Sequence, residues 1–136
     1  MLNIIGGLKK RTKLDVPTRN VRPTSSIKRE AIFSILESNA LKKKIDIYSN
    51  RCFLDLFAGS GSLGLEAISR GAKFCYFYEI NKDVVKTLEH NCLKICKPDN
   101  FKIIKQTIFN HFFTTTQSFF TWLKNKINCS IKIWIF

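Results

Sequence analysis

Proline is scarce in this chain: 3 residues in 136, at positions 17, 23 and 98, with none further on. That excludes a proline-rich recognition segment. With no Gly/Ser-rich stretch either, no linker divides the chain into independently folding units. Apolar runs never approach the ~18 consecutive residues of a membrane-spanning helix, so no membrane partner is expected. The opening, MLNIIGGLKKRTK, has no apolar core ahead of a cleavage site, and a secretory leader is not expected. No internal repeat is present. Acidic side chains number 10 against 23 Lys and Arg, a formal net charge of +13. Such a balance favours a polyanionic partner, although a general enrichment in Lys, Asn, Ile and Phe gives the same charge without one. With 45% hydrophobic residues the chain can bury a core, which excludes wholesale disorder.

The 5 cysteines are odd in number and include no Cys-x-x-Cys pair, so neither a disulfide framework nor a zinc ribbon is indicated. Cys52 and Cys75 lie in apolar runs that read as buried strands. Cys92 and Cys96 fall one turn apart on an expected helix, near His90, but a metal there needs further ligands that the sequence does not offer. Core thiols in a reducing cytosol are the better reading, with no metal expected and a cytoplasmic location.

From Met1 to about Asn20 the chain is basic and turn-like, broken by Gly6-Gly7 and Pro17. Pro23-Thr24-Ser25-Ser26 is a helix start, after which Ile27, Ala31, Ile35 and Leu36 recur at helical spacing. A change of pattern follows. Cys52 to Phe57 is an apolar strand interrupted only by Asp55. A glycine turn leads into Leu63, Leu65, Ala67 and Ile68, stopped by Arg70-Gly71. Lys73 to Tyr78 is a second strand ending at Glu79. Asn81 caps a third helix with Val84, Val85, Leu88 and Leu93 inward. Phe101 to Lys105 reads as a third strand, Phe109 to Leu123 as a fourth helix, and Ile131 to Phe136 as the start of a fourth strand. This alternation predicts an α/β domain, a parallel sheet with helices on both faces. The division expected is a basic N-terminal extension and helix over 1–45 and a partial Rossmann-like domain over 46–136. Ligands of such sheets bind beyond the strands' C-terminal ends.

At that edge stands Gly59-Ser60-Gly61-Ser62-Leu63-Gly64, with Glu79 roughly 20 residues on. Backbone that passes close to a ligand cannot carry side chains at Gly59 and Gly61, and Glu79 can accept both hydroxyls of a ribose. Nicotinamide enzymes and methyltransferases share these features. Asp55 separates them. A carboxylate beside the helix start repels a pyrophosphate, whereas S-adenosylmethionine carries an ammonium and a sulfonium and no phosphate. The residues therefore favour adenosylmethionine; a glycine turn with no ligand stays open as an alternative.

The run Asp55-Leu56-Phe57-Ala58-Gly59-Ser60-Gly61-Ser62-Leu63-Gly64-Leu65-Glu66-Ala67 resembles the bacterial 16S ribosomal RNA guanine-N2 methyltransferases of the RsmD family. So do Ile4-Ile5-Gly6-Gly7 with Leu14 and Pro17, and Arg22-Pro23-Thr24 followed by Arg29-Glu30-Ala31 and Phe33. The resemblance covers residues 1 to about 90. It implies a class I methyltransferase fold that methylates N2 of a guanine in small-subunit ribosomal RNA, working as a monomer. Asp55 and the backbone through Phe57, Ala58, Gly59, Ser60 and Gly61 would hold the methionine end of the cofactor, with Gly64 completing the turn. Glu79 would hold the ribose and Ile80 the adenine. Lys9, Lys10, Arg11, Arg22 and Arg29 would contact RNA phosphates. For Arg22 and Arg29, a salt bridge to Glu30 or Asp55 is the structural alternative.

Two departures from the family stand out. After the third strand the family has an acid against the adenine amine; here Gln106 and Thr107 occupy that place, and Thr107 is the candidate. The family's catalytic Asp/Asn-Pro-Pro-Phe/Tyr at the fourth strand's end does not occur among residues 1–136, and His111, the other acid-base candidate of the back half, reads as a surface histidine. A truncated or inactive copy with an uncovered sheet edge and low stability is thus the expectation. The alternatives are a non-catalytic RNA-binding remnant and another nucleic-acid amino-methyltransferase.

Overall fold

The computed structural model describes residues 1–18, 23–107, 110 and 134–135. The first of them form a ribbon that folds back on itself. Asn3 bridges Lys13 in antiparallel fashion, and backbone bonds run from Arg11 N to Ile4 O (2.8 Å) and from Leu14 N to Leu2 O (2.8 Å). Gly7 turns the ribbon at φ +74°, where an added Cβ would lie 1.9 Å from the Ser69 carbonyl oxygen. No other residue fits there. Leu2, Ile4 and Leu14 then sit in the same apolar cluster as Phe33, Phe53, Leu65 and Phe77, so the core runs unbroken across residue 45.

Helix α1 (Ser26–Lys42) starts as its sequence predicts, the Ser25 hydroxyl accepting from the Lys28 amide (3.3 Å). Its inward face is not the expected one. Ile27 and Ile35 are 78% and 61% exposed, while Arg29, Phe33 and Ala40 are buried. Helical spacing offers both rows. The second wins because Arg29 finds acceptors in the interior, which lets an aromatic ring and a charge be buried together. Of the expected row only Leu36 packs against the core.

Beyond it, β1 (Cys52–Asp55), α2 (Ser62–Ser69), β2 (Phe74–Tyr78), α3 (Lys82–Ile95), β3 (Phe101–Ile104) and β4 (Trp134–Ile135) alternate as expected. The sheet is parallel in the order β3-β2-β1-β4, the arrangement of one half of a doubly wound fold. Strand residues alternate between two clusters. Phe53, Cys75 and Phe77 pack with residues of all three helices, whereas Cys52, Leu54 and Tyr78 form a second cluster with Leu56, Phe74, Tyr76 and Ile104. Of the helix expected over 109–123 only Asn110 is among the described residues, and His111 lies outside them.

In α3, Asn81 caps the start through its side-chain oxygen. Val84, Val85 and Leu88 point inward as expected, but Leu93 is 77% exposed and Cys92 and Ile95 take the inner row. The steps from 88 to 92 and 95 keep one helical face, and a step of five does not. Cys52, Cys75, Cys92 and Cys96 carry free thiols. His90 turns away from the last two to pair with Asp15 (Nδ1 to Oδ2, 2.5 Å). No helix among the described residues is long and apolar enough to cross a membrane.

Candidate cofactor site

Register sets the site. Asp55 at the end of β1 lies opposite Phe77, so Asp55 and Glu79 come out at the same edge of two neighbouring strands. The turn between β1 and α2 is stapled to β2 by Ala58 N to Tyr78 O (3.0 Å) and closed by Gly61 N to Ala58 O (2.7 Å). Gly59 and Gly61 both have left-handed φ, +54° and +82°. Glu79 holds the turn from the other side. One of its oxygens accepts from the Gly59 amide (3.0 Å) and the other from the amides of Ile80 and Asn81 (2.9 Å each).

Asp55 is buried, 2% exposed, and accepts from the Gly64 amide in the first turn of α2 (3.2 Å). Burial pushes its carboxyl up to about 7. The amides of Gly64 and Phe57 oppose that rise, and the negative Glu79 adds to it. Among the described residues Asp55 forms no ion pair. A buried acid of this kind, with a second carboxylate beside it, is stabilised by any cation that reaches it. Asp55, Phe57, Ala58, Gly59, Ser60, Ser62 and Leu63 line a cavity of about 70 Å³, and Pro23 and Thr24 close its far wall. That volume fits a small charged group, and the flanking Phe57 and Ile80, 74% and 57% exposed, offer apolar surface for a larger body outside. The residues fit the amino-acid end of adenosylmethionine.

Two of the glycines also serve packing. A Cβ at Gly61 would lie 2.5 Å from Leu88 Cδ1, and one at Gly64 would lie 2.4 Å from Phe77 Cε1 and 2.6 Å from Cys75 Sγ. Gly61 brings α3 against the turn, and Gly64 brings α2 against the sheet. Thr107 follows β3 at the same edge, half-buried, its hydroxyl accepting from the Asn110 amide (3.1 Å); it is not in the cavity wall.

Residues 2–125 match the family model described as "Conserved hypothetical protein 95", the RsmD family. The chain belongs to this family. The Haemophilus influenzae protein named ribosomal RNA small subunit methyltransferase D is 37% identical over 108 residues, covering 78% of this chain and 52% of that protein. The Escherichia coli K12 protein of the same name is 38% identical over 104 residues, covering 76% and 48%. The solved structure described as "Putative methyltransferase yhhF from Escherichia coli" has a TM-score of 0.66 and 31% identity, covering 82% of this chain and 55% of that one. The fold is thus the Rossmann-like methyltransferase fold with a partial sheet, and the chain spans about half the length of the curated relatives it matches.

The basic residues assigned to RNA divide in three. Lys9, Lys10 and Arg11 are exposed at the ribbon's tip. Bonds from Leu8 N to Ser69 O (2.8 Å) and Lys9 N to Ser69 Oγ (2.9 Å) fix that tip at the C-terminal end of α2, far from the glycine turn. Arg22 lies outside the described residues. Arg29 is a correction: it is 0% exposed, out of reach of any phosphate. Its Nη2 donates to the Asn3 carbonyl (2.9 Å) and its Nη1 lies 3.6 Å from Glu66 Oε2. The partner is therefore neither Glu30 nor Asp55.

Glu66 and Asn91 escape a reading of the sequence. The two oxygens of Glu66 accept from the amides of Ile5 (2.9 Å) and Gly6 (2.7 Å), and one also takes Arg70 Nε (2.9 Å). Asn91 donates to the carbonyls of Ser60 and Asp15 (2.9 Å each) and accepts from the Asp15 amide (2.8 Å). It ties glycine turn, α3 and ribbon together. The available signal was one polar residue in the apolar row of each helix.

Proposed function

We propose that this chain binds S-adenosylmethionine and serves the RsmD-type reaction, methylation of a guanine N2 in the 16S ribosomal RNA of the small subunit. The observation that carries the reading is the buried Asp55 at the end of β1, which forms no ion pair among the described residues, with Glu79 at the end of the next strand. Two acids at one sheet edge suit a cationic ligand and disfavour a pyrophosphate.

The roles follow from position. Asp55 accepts a charge-assisted hydrogen bond from the cofactor's ammonium. Phe57, Ala58, Gly59 and Ser60 pass their backbone along the methionine end, Glu79 accepts the ribose hydroxyls, and Ile80 and Thr107 flank the adenine. When bound, the cofactor supplies an electrophilic methyl on a sulfonium. A guanine amine is a poor nucleophile because its lone pair is delocalised, so methyl transfer depends on alignment of that nitrogen. The Asp/Asn-Pro-Pro-Phe/Tyr sequence that performs this alignment in the family is absent from residues 1–136. This chain's own part is to hold the methyl donor and RNA phosphates at Lys9, Lys10 and Arg11.

Isothermal titration with adenosylmethionine tests the reading. Saturable binding that is lost in Asp55→Ala supports it. Equal affinity for wild type and variant sinks the assignment of the site. RNA binding with a steep salt dependence and no cofactor binding favours the RNA-binding reading instead.

A further inference from the structure

A second concave site lies at the opposite edge of the sheet. The ribbon tip, the C-terminal end of α2, the turn into β2 and the end of α3 with its following turn surround a groove of about 450 Å³, a volume within the range of ligand sites. Its walls carry Lys9, Lys73, Lys94 and Lys97 against a single acid, Asp99. The lysines come from separate segments, brought together by the docking of the ribbon on Ser69 and by Lys94, which donates to the Lys13 carbonyl (3.5 Å) and pairs with Asp15 (2.8 Å). Among the described residues Lys9 and Lys97 form no ion pair, and Lys10 and Arg11 continue the positive surface onto the tip. Two exposed leucines, Leu8 and Leu93, 96% and 77% exposed, stand in the wall.

We infer that this groove is a binding track for the phosphate backbone of single-stranded RNA, with Lys73 and Lys97 as contacts beyond the ribbon tip. The inference rests on the RNA substrate proposed above and adds a location to it. The leucines give bases an apolar surface to lie against once their phosphates are held. The track sits at the end of α2 remote from the glycine turn, and that helix has 8 residues, about 12 Å of axis at 1.5 Å per residue. RNA held here runs along the molecule toward Asp55 instead of entering the cofactor cavity directly.

The experiment measures affinity for a short single-stranded RNA of mixed sequence as a function of salt. Each phosphate contact contributes a slope of about −0.7 in log Kobs against log salt for single strands, so Lys73→Ala/Lys97→Ala lowers the slope's magnitude by about 1.4. Lys73→Arg/Lys97→Arg keeps the wild-type slope. Adenosylmethionine affinity stays at the wild-type value in both variants, which shows that the fold is intact. An unchanged slope in the alanine pair, with a reduced slope in Lys10→Ala, overturns the groove and leaves RNA recognition at the tip standing. Absence of salt-dependent RNA binding by the wild-type chain overturns both.

Discussion

Asp55 and Glu66 are both buried carboxylates set close to α2, and they are put to opposite uses. Glu66 is satisfied from within: two backbone amides of the ribbon and the guanidinium groups of Arg29 and Arg70 surround it. Among the described residues Asp55 receives amides alone, and burial leaves its carboxyl at about 7. One acid fastens the molecule together, and the other, in the function proposed above, receives a cation from solution. Burial does not by itself mark a functional residue; the nature of the partners does. Pairing from within signals architecture, and an unmet charge signals a ligand.

Removing Glu66 should have the largest effect. Glu66→Ala leaves Arg29 buried without its counter-ion, and loss of one member of a buried pair costs about 3–5 kcal/mol. Urea unfolding monitored by circular dichroism reads this directly, and a loss below 1 kcal/mol, as for an exposed pair, would dissolve the contrast. Next in size is Gly64→Ala, whose methyl meets Phe77 and Cys75. Overpacking of that kind costs about 1–3 kcal/mol, again visible in the unfolding midpoint.

Asp55→Asn should sharpen the comparison from the other side. Removing a charged acceptor weakens adenosylmethionine binding by roughly 10- to 100-fold, the worth of a charge-assisted hydrogen bond. Unfolding of the empty protein should show no loss at neutral pH. A parallel loss of stability and affinity would put Asp55 in the same class as Glu66.

The pH dependence follows with its sign. The Asp55 carboxyl is raised from 3.8 to about 7 in the folded chain, so the folded state keeps a proton that the unfolded state loses. Its contribution to stability is present below about pH 4 and declines as pH rises toward about 7. Cofactor affinity moves the other way, rising through neutrality as the carboxylate forms. Titrations at pH 6 and pH 8 check both trends, and Asp55→Asn flattens them. Smallest is Lys94→Ala, which removes a half-exposed pair with Asp15 and should cost only about 0.2–1 kcal/mol in thermal or chemical unfolding.

What could be read from the sequence was what is local. Asp55, the glycine turn and Glu79 are recognisable because strand, turn and helix follow one another within a single β-α-β stretch, and the parallel sheet follows from the alternation. The inward row of α1 was misread because spacing offered two rows and a distant group decided between them, whereas in α3 only Leu93 was misplaced, a step of five off the face that Cys92 and Ile95 complete. Arg29 is buried because Asn3 and Glu66 wait for it, and neither is near it in sequence. Gly61 and Gly64 are visible in the sequence as part of the glycine turn, but the neighbours that leave no room for a side chain there, Leu88 and Phe77, come from elements further along the chain. Asn91 is invisible as a site residue for the same reason: its partners, Ser60 and Asp15, belong to two other segments.

The ribbon also carries a consequence for the order of events during synthesis. Residues 2–15 are made before their docking partners, Glu66, Ser69, Asn91 and Lys94, which lie 60–79 residues further along the chain. Contacts of such long range close late and slow folding. Until α2 has emerged the carboxylate that takes the Ile5 and Gly6 amides is missing, and until α3 has emerged the cluster that buries Leu2, Ile4 and Leu14 is incomplete. The ribbon is thus made before the surfaces it docks on, and its docking contributes to both the core and the lysine-lined groove.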